Sequence, residues 1–456
     1  MKKFFLIFIF SLGASPMTKA LDLKDMQTFT AAGMPGILRS TKDDGEIVAF
    51  QISTKGSVNL QNKAGVIEML LKTMHSGTPT YSKEQIDQIF AESGAIFSIE
   101  AKNDYIEVSL KCLKRFLPKL LPIISEMIRT PDLKAEEIEL SRNQLLSDLR
   151  NEEDHPDSIL QLVSGDAFYK SHPYSKRTSG YLNTVPEITR EDLKATLPKI
   201  FNSKNVFFIV VGDLNAQETT SMIQKFFGDL PSGERGSIIS EQPKNETKEI
   251  IYKKFDSPTT YFIARFKAPA LKDADYPALA LACQILDNRL FEEVRTKRGL
   301  TYSVHCSMGN SAVNSGYLYV TSTQLPEAVH VIFDEVRKIQ SQPIDKKTIE
   351  LQVRKFTSSW YLGRETGSSQ ARIFSLYEMI GTGWKDSNAF IDRLNTVTPE
   401  KIIEVSKKYF KDFTVAYVGP EKIDLASNIS GHSAEKTKAG GASGKAAKQM
   451  KKSKKP

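Results

Sequence analysis

Residues 188–213 read ITREDLKATLPKIFNSKNVFFIVVGD, and residues 397–420 read VTPEKIIEVSKKYFKDFTVAYVGP. Each stretch opens on an apolar residue followed by a Thr suited to cap a helix. Thr189 has Asp192 three residues on, close to a capping box, and Thr398 is followed by Pro399 at the first helical position. Each then continues as an amphipathic helix and ends in a short β-rich run closed by Gly (VFFIVVG, FTVAYVG). A second pair of similar stretches lies earlier. Pro131-Asp132 precedes KAEEIELSRNQLLSDLR, and Pro343-Ile344-Asp345 precedes KKTIELQVRKFTSSWYL. The shared Ile-Glu-Leu (138–140 and 349–351) is offset by 211 residues, and the Ile188-Thr189/Val397-Thr398 pair by 209. Two matches at nearly one offset indicate a tandem duplication.

Working outward, PSGERGSIISEQPKNETK (231–248) is rich in Pro, Gly, Ser and charge and reads as the linker between the copies. Strand-like runs are Ile47–Thr54, Ala95–Ala101, Tyr105–Lys111 and Phe207–Val211 in the first copy. In the second they are Thr260–Phe266, Ser303–Met308, Ser315–Ser322 and Thr414–Val418. Asn103-Asp104, between two alternating runs, is a hairpin signal. Strands interleaved with long helices imply an α+β class: two homologous halves, each a largely antiparallel sheet packed with helices. The domain layout is then 1–20, 21–230, 231–248, 249–426 and 427–456.

The ends of the chain differ from the middle. Lys2 and Lys3 precede the apolar run FFLIFIFSL (4–12), and Thr18-Lys19-Ala20 offers small residues for cleavage. This reads as a signal peptide; the run is shorter than the ~20 residues needed to span a bilayer. Export follows, to a bacterial periplasm or outside the cell. No Cys precedes Cys112, so there is no lipoprotein attachment site. Residues 427–456 are mostly Gly, Ala, Ser and Lys and are expected to be disordered. That tail is a solvated end or an electrostatic contact to an anionic envelope surface. The chain of 456 residues carries a formal net charge of +8. The signal holds three of those positive charges and the tail a net seven, so residues 21–426 come to −2. A nucleic-acid partner is therefore not expected. Three Cys rule out a disulfide scaffold. Buried thiols, or one disulfide and one thiol among Cys112, Cys283 and Cys306, both remain open.

Several local motifs resemble the M16 peptidase family, the insulinase and mitochondrial-processing-peptidase relatives. In the first half these are Gly65, Ser76-Gly77-Thr78, Tyr81-Ser82, Ser93-Gly94-Ala95, Glu153-Asp154, Pro156-Asp157, His172-Pro173-Tyr174 and Val210-Val211-Gly212-Asp213. In the second half the stretch from Arg289 to Ser303 (RLFEEVRTKRGLTYS) is the most specific. The resemblance covers about residues 25–425 and implies an M16/LuxS-metallohydrolase-like, two-half clamshell.

Catalytic members carry H-x-x-E-H on a helix: two His share a face and bind Zn²⁺, and the Glu activates the bound water. Counted back from Gly77-Thr78, the motif falls on Glu68-Met69-Leu70-Leu71-Lys72. Both His are replaced, and Leu71 occupies the general-base position. Near the distal ligand position stands Asp148 where the family has Glu. Glu68 and Lys72 are spaced as an i,i+4 ion pair, and the Lys72 ammonium would repel a metal. Val66, Ile67, Leu70, Leu71 and Met74 still form an apolar helix face. His75, His155, His172, His305, His330 and His432 include no pair at metal spacing, and Glu152-Glu153-Asp154-His155-Pro156 reads as a solvated helix end. No G-x-S-x-G, P-loop or G-x-G-x-x-G element is present.

The resemblance further implies that Arg298 and Tyr302 correspond to an Arg and a Tyr that face the zinc site across a chamber and bind substrate. The alternative is that Arg298 pairs with Glu292 or Glu293 and that Tyr302 is structural. The expectation is a catalytically inactive subunit with no cofactor of its own, supplying Arg298 and Tyr302 in trans to an M16 partner that carries H-x-x-E-H and zinc. A peptide or unfolded polypeptide would be its substrate. A peptide-binding or scaffolding protein of the cell envelope is the rival expectation.

Overall fold

The computed structural model describes residues 25–41, 45–244 and 250–430. The expected signal peptide at 1–20 lies outside them, as do part of the expected linker and most of the expected tail. The first half contains β1 (Met26–Ala31), β2 (Met34–Ser40), β3 (Ile47–Lys55), α1 (Val66–Thr73), α2 (Lys83–Ser93), β4 (Ile96–Ala101) and β5 (Tyr105–Leu113). It continues with α3 (Leu117–Arg129), α4 (Ala135–Glu153), α5 (Pro156–Phe168), α6 (Arg190–Ile200), β6 (Val206–Gly212) and α7 (Ala216–Phe227). The second half contains β7 (Ile251–Lys254), β8 (Thr260–Lys267), α8 (Tyr276–Leu290), β9 (Val304–Met308), β10 (Ser315–Ser322) and α9 (Leu325–Ser341). It closes with α10 (Lys346–Leu362), α11 (Gly367–Ile380), α12 (Ala389–Asn395), α13 (Pro399–Tyr409), β11 (Thr414–Gly419) and α14 (Ala426–Ser430).

The duplication is visible in the topology. The sheet orders are β1-β2-β6-β3-β5-β4 and β7-β11-β8-β10-β9, the same path once the extra β1 is removed. Each sheet is mixed: β2 runs parallel to β6 and β7 parallel to β11, and the other neighbours are antiparallel. The opening stretches form what their caps imply. Thr189 and Asp192 make a reciprocal capping box at α6, and Thr398 caps α13 ahead of Pro399. Strands β6 and β11 are buried along their whole length, as expected for apolar runs covered on both faces.

What covers those faces is the main structural surprise. One face of the first sheet packs on its own helices, through Val48, Phe50, Phe208 and Val210 against α1, α3, α6 and α7. The opposite face, with Ile37, Ala49, Ile209 and Val211, receives Phe374 and Tyr377 of α11 from the second half. Reciprocally, Ile263, Ala416 and Val418 of the second sheet receive Ile159 and Leu160 of α5 from the first half. Helices α5 and α11 begin 211 residues apart, so the exchange repeats the duplication.

Three strands escaped the sequence reading. Strands β1 and β2 form a hairpin turning at Ala32-Gly33, both in the left-handed region, and Pro35-Gly36 obscures their alternation. Strand β7 is four residues long at an edge. Residues 231–244 carry no helix or strand but are fastened to the first half: Gly236 N–H donates to Asn205 Oδ1 at 2.8 Å, and Asn59 Nδ2 donates to Ser237 O at 2.8 Å. Residues 427–430, expected to be disordered, instead belong to α14 (Ala426–Ser430), which packs on α9; the expectation for residues 431–456 lies outside the described part.

Candidate functional site

Helix α1 starts at Gly65, whose φ of 96° is left-handed. It can sit there because Gly180, also left-handed, faces it: a Cβ on Gly180 would lie 2.8 Å from both the Ala64 O and the Gly65 Cα. Val66, Ile67, Met69, Leu70, Leu71 and Met74 are buried in the first core, as the apolar face requires. Leu71 is 5% exposed, so the general-base position is filled by core packing. The expected Glu68–Lys72 pair is not the one formed. Lys72 Nζ instead meets Asp148 Oδ2 of α4 at 3.2 Å. Gln144, one turn earlier on α4, donates through Nε2 to Asp148 Oδ1 at 2.9 Å. Burial raises the Glu68 carboxyl above its usual range; Lys72 lowers it, while Asp148 and Glu100 add to the rise.

These groups do not fit a zinc ion. A catalytic zinc shell offers imidazole or carboxylate lone pairs with one open position. Here an ammonium occupies the second His position, both Asp148 oxygens are engaged, and Leu71 offers no lone pair. Among the described residues, no group of three or more His, Cys, Asp or Glu could hold a metal.

In the second half, α8 runs into a turn of π-helix at Phe291–Thr296, a wide winding often found at functional sites. Gly299 (φ +62°) reverses the chain, and buried Leu300 anchors the segment before β9. Arg298 Nη1 donates to both Glu293 Oε2 and Glu293 O, each at 2.7 Å. Lys297 Nζ takes the other Glu293 oxygen at 2.7 Å. The hydrogen bonds from Lys297 and then Arg298 hold the Glu293 carboxyl down at about 2. Tyr302 is 82% exposed. The Arg295 guanidinium lies 4.6 Å from its ring centroid and 4.8 Å from that of Phe291, a cation–π arrangement. Arg298 thus makes the Glu293 pairing, and Tyr302 presents its ring to solvent rather than to a core. No hydrogen bond or ion pair joins Arg298 or Tyr302 to Glu68, Lys72 or Asp148 among the described residues.

Sequence reasoning missed Gln144 and Arg295. The i,i+4 spacing of Gln144 and Asp148 was a usable signal; the bridging role of Arg295 depends on the π-turn and was not readable.

Two family profiles match the chain. Insulinase (Peptidase family M16) matches residues 46–180, and Peptidase M16 inactive domain matches residues 187–356. The chain is 21% identical over 383 residues to a non-peptidase homolog, YmxG, of Helicobacter pylori, covering 81% of this chain and 88% of that protein. It is 22% identical over 390 residues to an uncharacterized zinc protease of Rickettsia felis, covering 82% and 93%. The fold matches the crystal structure of a peptidase M16 inactive domain from Pseudomonas fluorescens with a TM-score of 0.80 at 21% identity, covering 88% of this chain and 99% of that one. With both halves matched in order and on the same fold, the chain belongs to the M16 peptidase family.

Proposed function

We propose that this protein is the catalytically inactive subunit of an exported, heteromeric M16-type zinc peptidase. The observation that carries the reading is the Lys72–Asp148 ion pair at the degenerate metal position, beside a Leu71 packed in the core. A fixed ammonium there disfavours a divalent cation by Coulomb repulsion. The partner chain carries H-x-x-E-H and the zinc, and this chain closes the peptide-binding chamber.

Arg298 and Tyr302 act in trans. A guanidinium has five N–H donors, and Glu293 engages a single nitrogen of it. Arg298 therefore keeps donors for a peptide carbonyl, and exposed Tyr302 adds a phenol. The substrate is a peptide or unfolded segment added to a sheet edge. Strand β4 suits this role. Lys102 N–H bonds Tyr105 O across the hairpin, so by alternation Phe97, Ile99 and Ala101 turn their backbone groups outward. The β9 edge is less suitable, because Asp287 Oδ1 already accepts the outward Cys306 N–H at 3.0 Å.

The test is co-purification from the cell envelope, then peptidase assays of each chain alone and of the reconstituted pair. Activity is expected in the pair and in neither this chain nor its Arg298→Ala variant alone. Arg298→Ala in the pair should lower kcat/KM by about 10²-fold, the scale of losing one oxyanion donor. Unchanged cleavage favours the second reading, a peptide-binding or scaffolding protein, which the homolog named a non-peptidase supports.

A further inference from the structure

Two of the three cysteines meet where α8 packs on β9. Cys283 lies on the buried face of α8, and Cys306 points into the same core from β9. Asp287, one turn on from Cys283 in α8, accepts the Cys306 N–H at 3.0 Å, which sets the two cysteines side by side across the seam. Both line one cavity of about 640 Å³, together with Gln284 and Asp287, beside the outer edge of β9. With both residues on one cavity wall, side-chain rotation is what would bring the sulfurs to the ~2.05 Å of an S–S bond. Cys112 is buried on β5 in the core of the other half, away from both.

We propose that Cys283 and Cys306 form a reversible disulfide that staples α8 to β9 and closes a covalent ring around the segment carrying Arg298 and Tyr302. The cross-link forms by thiol–disulfide exchange with an external disulfide, R–S–S–R. The Cys283 thiolate attacks one of its sulfurs, the S–S bond breaks, and one R–S⁻ leaves. Cys306 then gives up its proton, attacks Cys283 Sγ and releases the second R–S⁻. Two protein thiols are oxidised to one disulfide, and the external disulfide takes the two electrons and two protons to become two thiols.

The order of attack follows from the surroundings. Burial first, then the Cys283 contact and the Asp287 carboxylate, hold the Cys306 thiol well above its usual range, so it is a poor first nucleophile. Cys306 is instead the resolving thiol, acting once Cys283 is a mixed disulfide. The oxidised ring spans the π-turn, Gly299 and Tyr302, so it restrains the segment at both ends while leaving its side chains exposed.

The test uses the reduced full chain with oxidised glutathione at mildly alkaline pH, followed by thiol counting after denaturation and peptide mapping. Titratable thiols should fall from three to one. Arg289, Arg295, Lys297 and Arg298 lie between the two cysteines, so trypsin should yield a two-chain Cys283–Cys306 peptide with Cys112 free. Cys306→Ser should accumulate glutathione on Cys283, and Cys283→Ser should leave Cys306 unmodified. Protease cleavage within 291–302 should be several-fold slower in the oxidised protein and recover on reduction. Three thiols after prolonged oxidation, a link to Cys112, or equal cleavage rates in the two states would each overturn the proposal. Mapping the unmodified chain needs no variant to fold.

Discussion

Leu71 stands where a general base would act, yet its side chain is part of the first core. Leu71→Ala should cost about 2–5 kcal/mol in chemical denaturation. Leu71→Glu should cost at least as much, because it places a carboxylate in apolar surroundings. Rebuilding the motif as Glu68→His, Leu71→Glu and Lys72→His is expected to yield neither peptidase activity nor stoichiometric zinc. Asp148 is a methylene short, and Gln144 holds its second oxygen. Zinc analysis and a peptide assay check this; robust hydrolysis would count against the assignment. Glu68 provides a pH test. Its folded carboxyl is raised above its unfolded value, so the folded state binds that proton more tightly. Its contribution is then fully present below an unfolded value of ~4.3 and is lost as pH rises through the folded value. Glu68→Gln should raise Tm at pH 7 relative to the parent and change it little at pH 4. The substitution pattern at 68–72 was legible from sequence. The ion pair actually made was not, since i,i+4 spacing names Glu68 and only the packing of α4 on α1 brings Asp148 within reach of Lys72.

At the scale of elements, capping signals carried over directly and edges did not. Helices α6 and α13 begin at their Thr caps, because those bonds are local. Strands β1 and β7 gain their identity from neighbours, β1 from β2 and β7 from the parallel β11. The start of α8 is held to α13 by Asp275, which meets Lys401 at 2.8 Å and Lys408 at 2.7 Å and accepts the Tyr409 hydroxyl at 3.0 Å. Partial burial pushes this carboxyl up, but the bonds from Lys401, Lys408 and Tyr409 outweigh it and leave the group at about 2. A depressed folded value contributes stability above the unfolded ~3.9, lost as pH falls toward 2. Asp275→Asn should therefore lower Tm at pH 7 and make no difference near pH 2, which a series of melts across that range can check. Melts that stay parallel at every pH would show that the ion pairs do not hold α8 to α13.

At the scale of the molecule, the exchanged helices join the halves. Phe374 of α11 is fully buried on the first sheet, and Phe374→Ala should cost about 3–5 kcal/mol. Because α5 and α11 each complete the other half's packing, calorimetry should show one cooperative transition in the parent. Two separated transitions would mean that the halves unfold independently. A smaller contact reinforces the joint. Asp104, at the tip of the β4–β5 hairpin, accepts the Ala312 N–H at 2.9 Å and the Tyr174 hydroxyl. Burial raises its carboxyl. Asn103-Asp104 reads correctly as a turn, but a solvent-facing tip is what a turn ordinarily implies; here Asn103 is exposed while Asp104 is buried against the second half.

The sequence by itself determined the duplication, the α+β class, the family and the loss of the metal motif. All of these are written in local spacing and residue type, which survive without knowledge of long-range contacts. Tertiary structure alone decided that each sheet is covered by a helix of the other half, that Lys72 pairs with Asp148, and that Cys283 and Cys306 line one cavity. Those outcomes depend on which distant faces are apolar enough to be buried together. That is a property of the assembled surfaces, and no window of residues contains it.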